Sequence, residues 1–162
     1  MSFYAKLDEK APSILDSVDN PEGYDGLLQY GKSKLLLTMG VSKLAKAVSA
    51  DDCIINAVNP SAVRGTALMR EAETLVPKII IGLSNVILGR NLVDGTRQYL
   101  HSALVLGKDS HGSFCDWKIR PYPPYMYTES GRQITTKLWD ETLKELQFAD
   151  AGNVLESLKS YM

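Results

Sequence analysis

At 162 residues, with 18 basic against 19 acidic side chains, the sequence is long enough for one domain with a real core and too short for two of ordinary size. The near-zero net charge provides no field to attract nucleic acid or an anionic membrane, so neither partner is expected. Cys53 and Cys115 stand alone without metal-ligand spacing, no apolar run reaches about 18 residues, and the opening MSFYAKLDEKAPS is neither a signal nor a transit peptide; the expectation is a reduced, cytoplasmic protein with no metal site.

In chain order, a polar opening rich in Asp, Pro and Gly gives way to an apolar pattern of helical period from about Leu27 to Ser49, which predicts the longest helix. CIINAVNP, Cys53 to Pro60, then reads as a short buried strand stopped by proline. SAVRGTALMREAETL is a loop leading into a helix, and VPKIIIGLSNVILGR is strongly apolar, with Pro77 suited to a first helical turn. LVDGTRQYLHSALVLG continues helically to Gly107. A second strand is expected around Ser113 to Trp117, followed by a proline-rich turn, an amphipathic helix over SGRQITTKLWDETLKELQF and a frayed tail. Helix, strand, helices, strand, helix is an α/β order, mostly helical with two or three short strands, and residues 1–162 are read as one domain.

One stretch, GLLQYGKSK from Gly26 to Lys34, satisfies two motifs at once. Gly26, Gly31, Lys32 and Ser33 spell GxxxxGKS, the pattern of a phosphate-cradling loop. Such a loop follows a buried strand, and NPEGYD before Gly26 cannot be one, so this reading is disfavoured. Tyr30 and Lys34 spell YxxxK, which places both on one helix face. An ammonium beside a phenol lowers the phenol's pKa from about 10, and a tyrosine so tuned can exchange a proton with a carbonyl or alcohol oxygen.

Three stretches together resemble the short-chain dehydrogenases/reductases, particularly fungal, retinol-dehydrogenase-like members. YGKSKLLLTMGVSKLAK is similar to the family's catalytic helix, INAVNPSAVRGTAL to the strand and loop after it, and GSFCDWKIRPYPP to the last strand and its exit. The resemblance implies that Tyr30 is the catalytic acid/base and that Lys34 assists it and, in the family, binds the nicotinamide ribose. Asn59 and Pro60 fall in the family's NPG turn, but Ser61 replaces the glycine. The hydroxyl expected five positions after that proline is Gly65, with Thr66 one step later. It further implies that the segment from about Ala67 to Leu92 forms a mobile lid, with Met69, Ile79, Ile80, Leu83 and Ile87 lining a substrate pocket.

Nothing here resembles the family's opening strand, its glycine-rich TGxxxGxG turn or the strand bearing its catalytic serine. The expected fold is therefore a truncated Rossmann-like fragment completed by oligomerisation, with the Leu35, Leu36, Leu37, Met39 and Val41 region buried between subunits. No cofactor is expected to bind, Asn59, Pro60, Ser61 and Thr66 being vestiges of a dinucleotide contact. The partner is a second copy or a full-length reductase.

Among other residues, His101 is expected to be an ordinary helix residue with a hydrogen bond, His111 a surface turn, and Asp140, Glu141 and Lys144 a solvated helix face. Glu71 and Glu73 lie two apart and cannot face each other on a helix. The leading expectation is a cofactor-independent, non-redox enzyme of secondary metabolism (isomerase, dehydratase or cyclase) acting on an apolar, carbonyl-bearing metabolite. The alternative is a non-catalytic or partner-dependent subunit of a complete NAD(P)-dependent oxidoreductase.

Overall fold

The computed structural model describes residues 7–65 and 89–159, the side chain of Lys159 excepted. Its long central helix, α2 (Gly26–Ala47), begins where the sequence supplies a cap: the Asp25 carboxylate accepts from the Leu27 and Leu28 amides, both at 2.9 Å. Before it lies the short α1 (Ile14–Asp19), capped by Ser13. Opposite is α4 (Glu129–Glu145), whose Thr128 cap accepts from Gly131 N at 3.0 Å. Leu35 and Met39, four apart on α2, meet Ile134 and Leu138, four apart on α4, and Ile14 and Val18 of α1 close the cluster. Each is at most 8% exposed, so the apolar spacing of three separate helices converges on one core.

Leu35 and Met39, expected between subunits, are instead wholly enclosed within the chain. Of the same group Leu37 is 60% exposed, and Leu36 and Val41 are half-buried.

The sheet has three two-residue strands: β1 (Ala57–Val58), β2 (Phe114–Cys115) and β3 (Ile119–Arg120). β1 runs parallel to β2 with Ala57 opposite Phe114, and β3 returns antiparallel with Ile119 opposite Cys115. The fold is thus a mostly helical α/β arrangement with a small mixed sheet. The strand expected over Cys53–Pro60 shrinks because Ile55 N donates to the His111 imidazole at 3.2 Å rather than to a strand neighbour. The third strand exists because Trp117, at φ 56°, turns the chain back in a three-residue loop.

Helix α3 (Leu92–Leu104) is capped by Asn91 and stops short of Gly107, which at φ 61° leads into a 3₁₀ turn, Lys108–Ser110. The tail expected to fray forms α5 (Ala151–Lys159) after a second 3₁₀ turn, Leu146–Ala149. Asp150 at φ 52° breaks the direction, and its side chain accepts from Asn153 Nδ2 at 2.7 Å in the new first turn. No described helix is long and apolar enough to cross a membrane.

Candidate active site

The double motif resolves in favour of the helix. All of GLLQYGKS lies in α2, whose first amides are already held by Asp25, so no backbone wraps around a phosphate there. Tyr30 and Lys34 project from one face, with Lys34 Nζ 5.3 Å from the Tyr30 ring centroid. The ammonium therefore meets the π-face of the ring. Both side chains are exposed, and Ser33 Oγ donates to Tyr30 O in the same turn at 2.9 Å.

The Asn59, Pro60, Ser61 turn sits at the carboxyl ends of the two parallel strands, the edge where open α/β sheets bind ligands. Asn59 N donates to Cys115 O at 2.9 Å, and Asn59 Oδ1 accepts from Ser61 N at 3.0 Å. Ser61 takes φ 65°, so the left-handed backbone that favours glycine is kept although a serine occupies it. Among the described residues no hydrogen bond or ion pair joins this turn to Tyr30 or Lys34. Thr66, Met69, Ile79, Ile80, Leu83 and Ile87, with Glu71 and Glu73, lie outside the described residues.

The turn is held from behind by a residue that the sequence reading did not single out. Gln98 of α3 is fully buried; its amide donates to Asn59 O and, at 3.2 Å, to Asp116 Oδ1, while its carbonyl accepts from Arg90 Nη1 at 2.9 Å. Arg90 also lies 3.7 Å from Asp116 and 5.7 Å from the Trp117 ring. The available signal was that Gly95, Gln98 and Ser102 share one helical stripe, an odd composition for a buried face.

Both histidines depart from expectation. His101 packs against Trp117 with ring centroids 5.5 Å apart, and its buried Nδ1 has no hydrogen-bond partner among the described residues. His111 is a clip and not a surface turn. Its Nδ1 accepts from Ile55 N, and its Nε2 lies 2.7 Å from Ala45 O, which together require the neutral ring with the proton on Nε2. Glu141, expected on a solvated face, reaches back to α1 and accepts from Ile14 N at 2.9 Å, Leu15 N at 3.0 Å and Ser13 Oγ at 3.2 Å. Burial alone would raise its carboxyl pKa, but the Leu15 and Ile14 amides, the Ser13 hydroxyl and nearby Lys137 hold it below the usual glutamate range.

Two further groups are poor acid/base candidates. Burial, with Tyr127 and Cys115 beside it, pushes the Tyr122 hydroxyl up to about 12, and it donates to Gly112 O. Burial likewise pushes up the Cys115 thiol; Cys53 is exposed, and both are free thiols. Among the described residues no group of three or more His, Cys, Asp or Glu could hold a metal ion.

A nicotinamide dinucleotide would need a helix N-terminus open to its pyrophosphate. Here α1 is occupied by Ser13 and Glu141, α2 by Asp25, α3 by Asn91 and α4 by Thr128. The Asn59 turn likewise has its amide, carbonyl and side chain engaged within the chain. Among the described α-helices only α5 lacks a side-chain cap at its N-terminus, so the first four and the Asn59 turn do not fit the dinucleotide's pyrophosphate as they stand.

The chain is 39% identical over 161 residues to short chain dehydrogenase/reductase mfmJ of Annulohypoxylon moriforme, a match covering 98% of this chain and 46% of that protein. It is 40% identical over 147 residues to short chain dehydrogenase virL of Hypocrea virens, covering 90% and 43%. To short-chain dehydrogenase fogG of Aspergillus ruber it is 35% identical over 138 residues, covering 83% and 40%. The chain thus spans somewhat less than half the length of these curated relatives. No family model and no solved structure matches it significantly.

Proposed function

Since the chain belongs to the short-chain dehydrogenase/reductase family while spanning under half the length of these relatives, we propose that it is a reductase-derived enzyme that transfers protons without a cofactor. Its substrate is an apolar, carbonyl-bearing metabolite of fungal secondary metabolism, and its step is an isomerisation, dehydration or cyclisation in the cytosol. The observation that carries this reading is the exposed Tyr30 with Lys34 Nζ 5.3 Å from its ring, in a chain where four of the five described α-helices have N-termini capped by its own side chains. Tyr30 Oη gives its proton to the carbonyl oxygen as the α-carbon loses one to water; the enol forms, and the phenolate is reprotonated from solvent.

The test is deuterium wash-in at the α-carbon of apolar ketones in D₂O, followed by NMR. Wild-type protein accelerates exchange and Tyr30→Phe does not; equal rates for both would remove Tyr30 from the chemistry. A second reading is a subunit that depends on a complete NAD(P)-dependent reductase, and the open outer edge of β1 among the described strands favours it. Capture of such a reductase, with activity indifferent to Tyr30→Phe, would select that reading.

A further inference from the structure

A second phenol lies over the face of α2 that carries Tyr30. Tyr24 ends the turn Pro21–Tyr24, which Tyr24 N closes by donating to Pro21 O at 3.3 Å. Gly23 takes φ 68° there, the backbone that a type II turn asks of its third residue. The turn folds the Tyr24 side chain back over Gly26, the first residue of the helix, hydroxyl foremost: a Cβ added at Gly26 would lie 3.3 Å from Tyr24 Oη, 3.6 Å from Cε1 and 3.7 Å from Cζ. Gly26, Tyr30 and Lys34 follow one another in steps of four, so the three share one face. Since Cβ positions four apart on a helix are about 5–6 Å from each other, the Tyr24 hydroxyl stands no further than about 9 Å from Tyr30 Cβ. The ordinary role of an apolar residue just before a helix cap is to pack on the fourth helical residue. Here that residue is Gln29, whose amide instead donates to Val18 O. Tyr24 is 63% exposed and Tyr30 36%, and neither hydroxyl has a hydrogen-bond partner among the described residues.

We propose that Tyr24 is a second hydrogen-bond donor to the substrate's carbonyl oxygen, in the same site as Tyr30 and Lys34. This role rests on the proton-transfer reading above and extends it by one residue. As Tyr30 Oη gives its proton to the carbonyl oxygen and the α-carbon loses one to water, Tyr24 Oη keeps its own proton and donates a hydrogen bond to that oxygen. Charge builds on the oxygen whenever the α-proton leaves ahead of the proton from Tyr30. The Tyr24 bond therefore strengthens in the transition state and lowers the barrier rather than merely holding the ketone. Gly26 has its own part in this arrangement. With no Cβ it leaves the space in which the Tyr24 hydroxyl rests, one helical turn before Tyr30.

The experiment is α-proton exchange of apolar ketones in D₂O, followed by NMR, on the full chain and on Tyr24→Phe, Gly26→Ala, their double variant and Tyr30→Phe. Tyr24→Phe is expected to lower the accelerated rate roughly 3- to 10-fold, the worth of one partly exposed hydrogen bond, with an unchanged melting temperature. Gly26→Ala displaces the hydroxyl and should slow exchange by a similar factor, although alanine is the better helix former. The double variant should be no slower than the slower single one, because both changes remove the same contact. A wild-type rate in Tyr24→Phe, with exchange lost in Tyr30→Phe, would overturn the role of Tyr24 and keep that of Tyr30. A fall in Tyr24→Phe matched by a fall in melting temperature would overturn it too, making the residue structural. Wild-type protein that exchanges no faster than buffer would overturn both roles.

Discussion

Lys34 Nζ lies 5.3 Å from the centroid of the Tyr30 ring, one helical turn away, on a helix whose register is set by the Asp25 cap and by Leu35 and Met39 in the core. Both residues lie in helical backbone and both side chains are exposed, and the proposed proton exchange with a carbonyl would use the Tyr30 hydroxyl. Tyr30→Phe keeps the ring and the cation–π contact but removes the proton. Rates of α-proton exchange should fall by about 10² to 10⁴, with the melting temperature unchanged. A parallel loss of stability and rate would assign Tyr30 a structural role instead.

Gln98 joins the Asn59 turn, Asp116 and Arg90 from a fully buried position. Gln98→Leu keeps the volume but leaves these partners short of hydrogen bonds, at a cost of about 2–4 kcal/mol in urea unfolding. Gln98→Glu should cost as much or more, since it sets a carboxylate against Asp116. A variant as stable as wild type would show that water replaces the network.

The Glu141 carboxylate ties α4 to the first turn of α1. Because its pKa is depressed by folding, its contribution is present above the ordinary value of 4.5 and is lost as pH falls through the lower folded value. Glu141→Gln should therefore lower stability at neutral pH and flatten the acid limb of the stability curve. Unchanged acid sensitivity would point to other carboxylates.

Ser61 sits at φ 65° and makes a turn that its Cβ disfavours. Ser61→Gly removes that strain, worth about 1–2 kcal/mol, but adds freedom to the unfolded chain, worth about 0.5–1 kcal/mol. The net expectation is a change between none and a gain of about 1.5 kcal/mol in chemical denaturation. Gly131→Ala is expected to do the reverse on a larger scale: its Cβ would lie 1.9 Å from Tyr125 O, and a loss of about 3 kcal/mol or more should follow. Stability near wild type in that variant would mean that the turn before α4 can move.

Much of this was legible because periodicity is local. The helical period from about Leu27 to Ser49 and the amphipathic SGRQITTKLWDETLKELQF mark helices that the chain forms within a few residues of those bounds, with Leu35, Met39, Ile134 and Leu138 in the core. What was not legible depends on partners distant in sequence. Glu141 looks solvated until α1, more than a hundred residues earlier, presents its amides. His111 looks like a loop residue until Ala45 and Ile55 meet it from both sides. The third strand hinges on a left-handed Trp117, for which the residue type gives no signal. Tyr30 and Lys34 were visible as a motif, but Gln98, which holds the Asn59 turn, offered only its place on a stripe with Gly95 and Ser102, and its partners Asn59, Asp116 and Arg90 are known only from the fold.

Titration of the purified chain with NADPH and NADH, followed by nucleotide fluorescence, tests the central claim most directly. With every long described helix except α5 capped at its N-terminus by the chain itself, the account predicts no saturable binding at micromolar concentration and α-proton exchange that proceeds without nucleotide. Micromolar binding of either nucleotide by the chain alone would contradict it and return the protein to hydride-transfer chemistry.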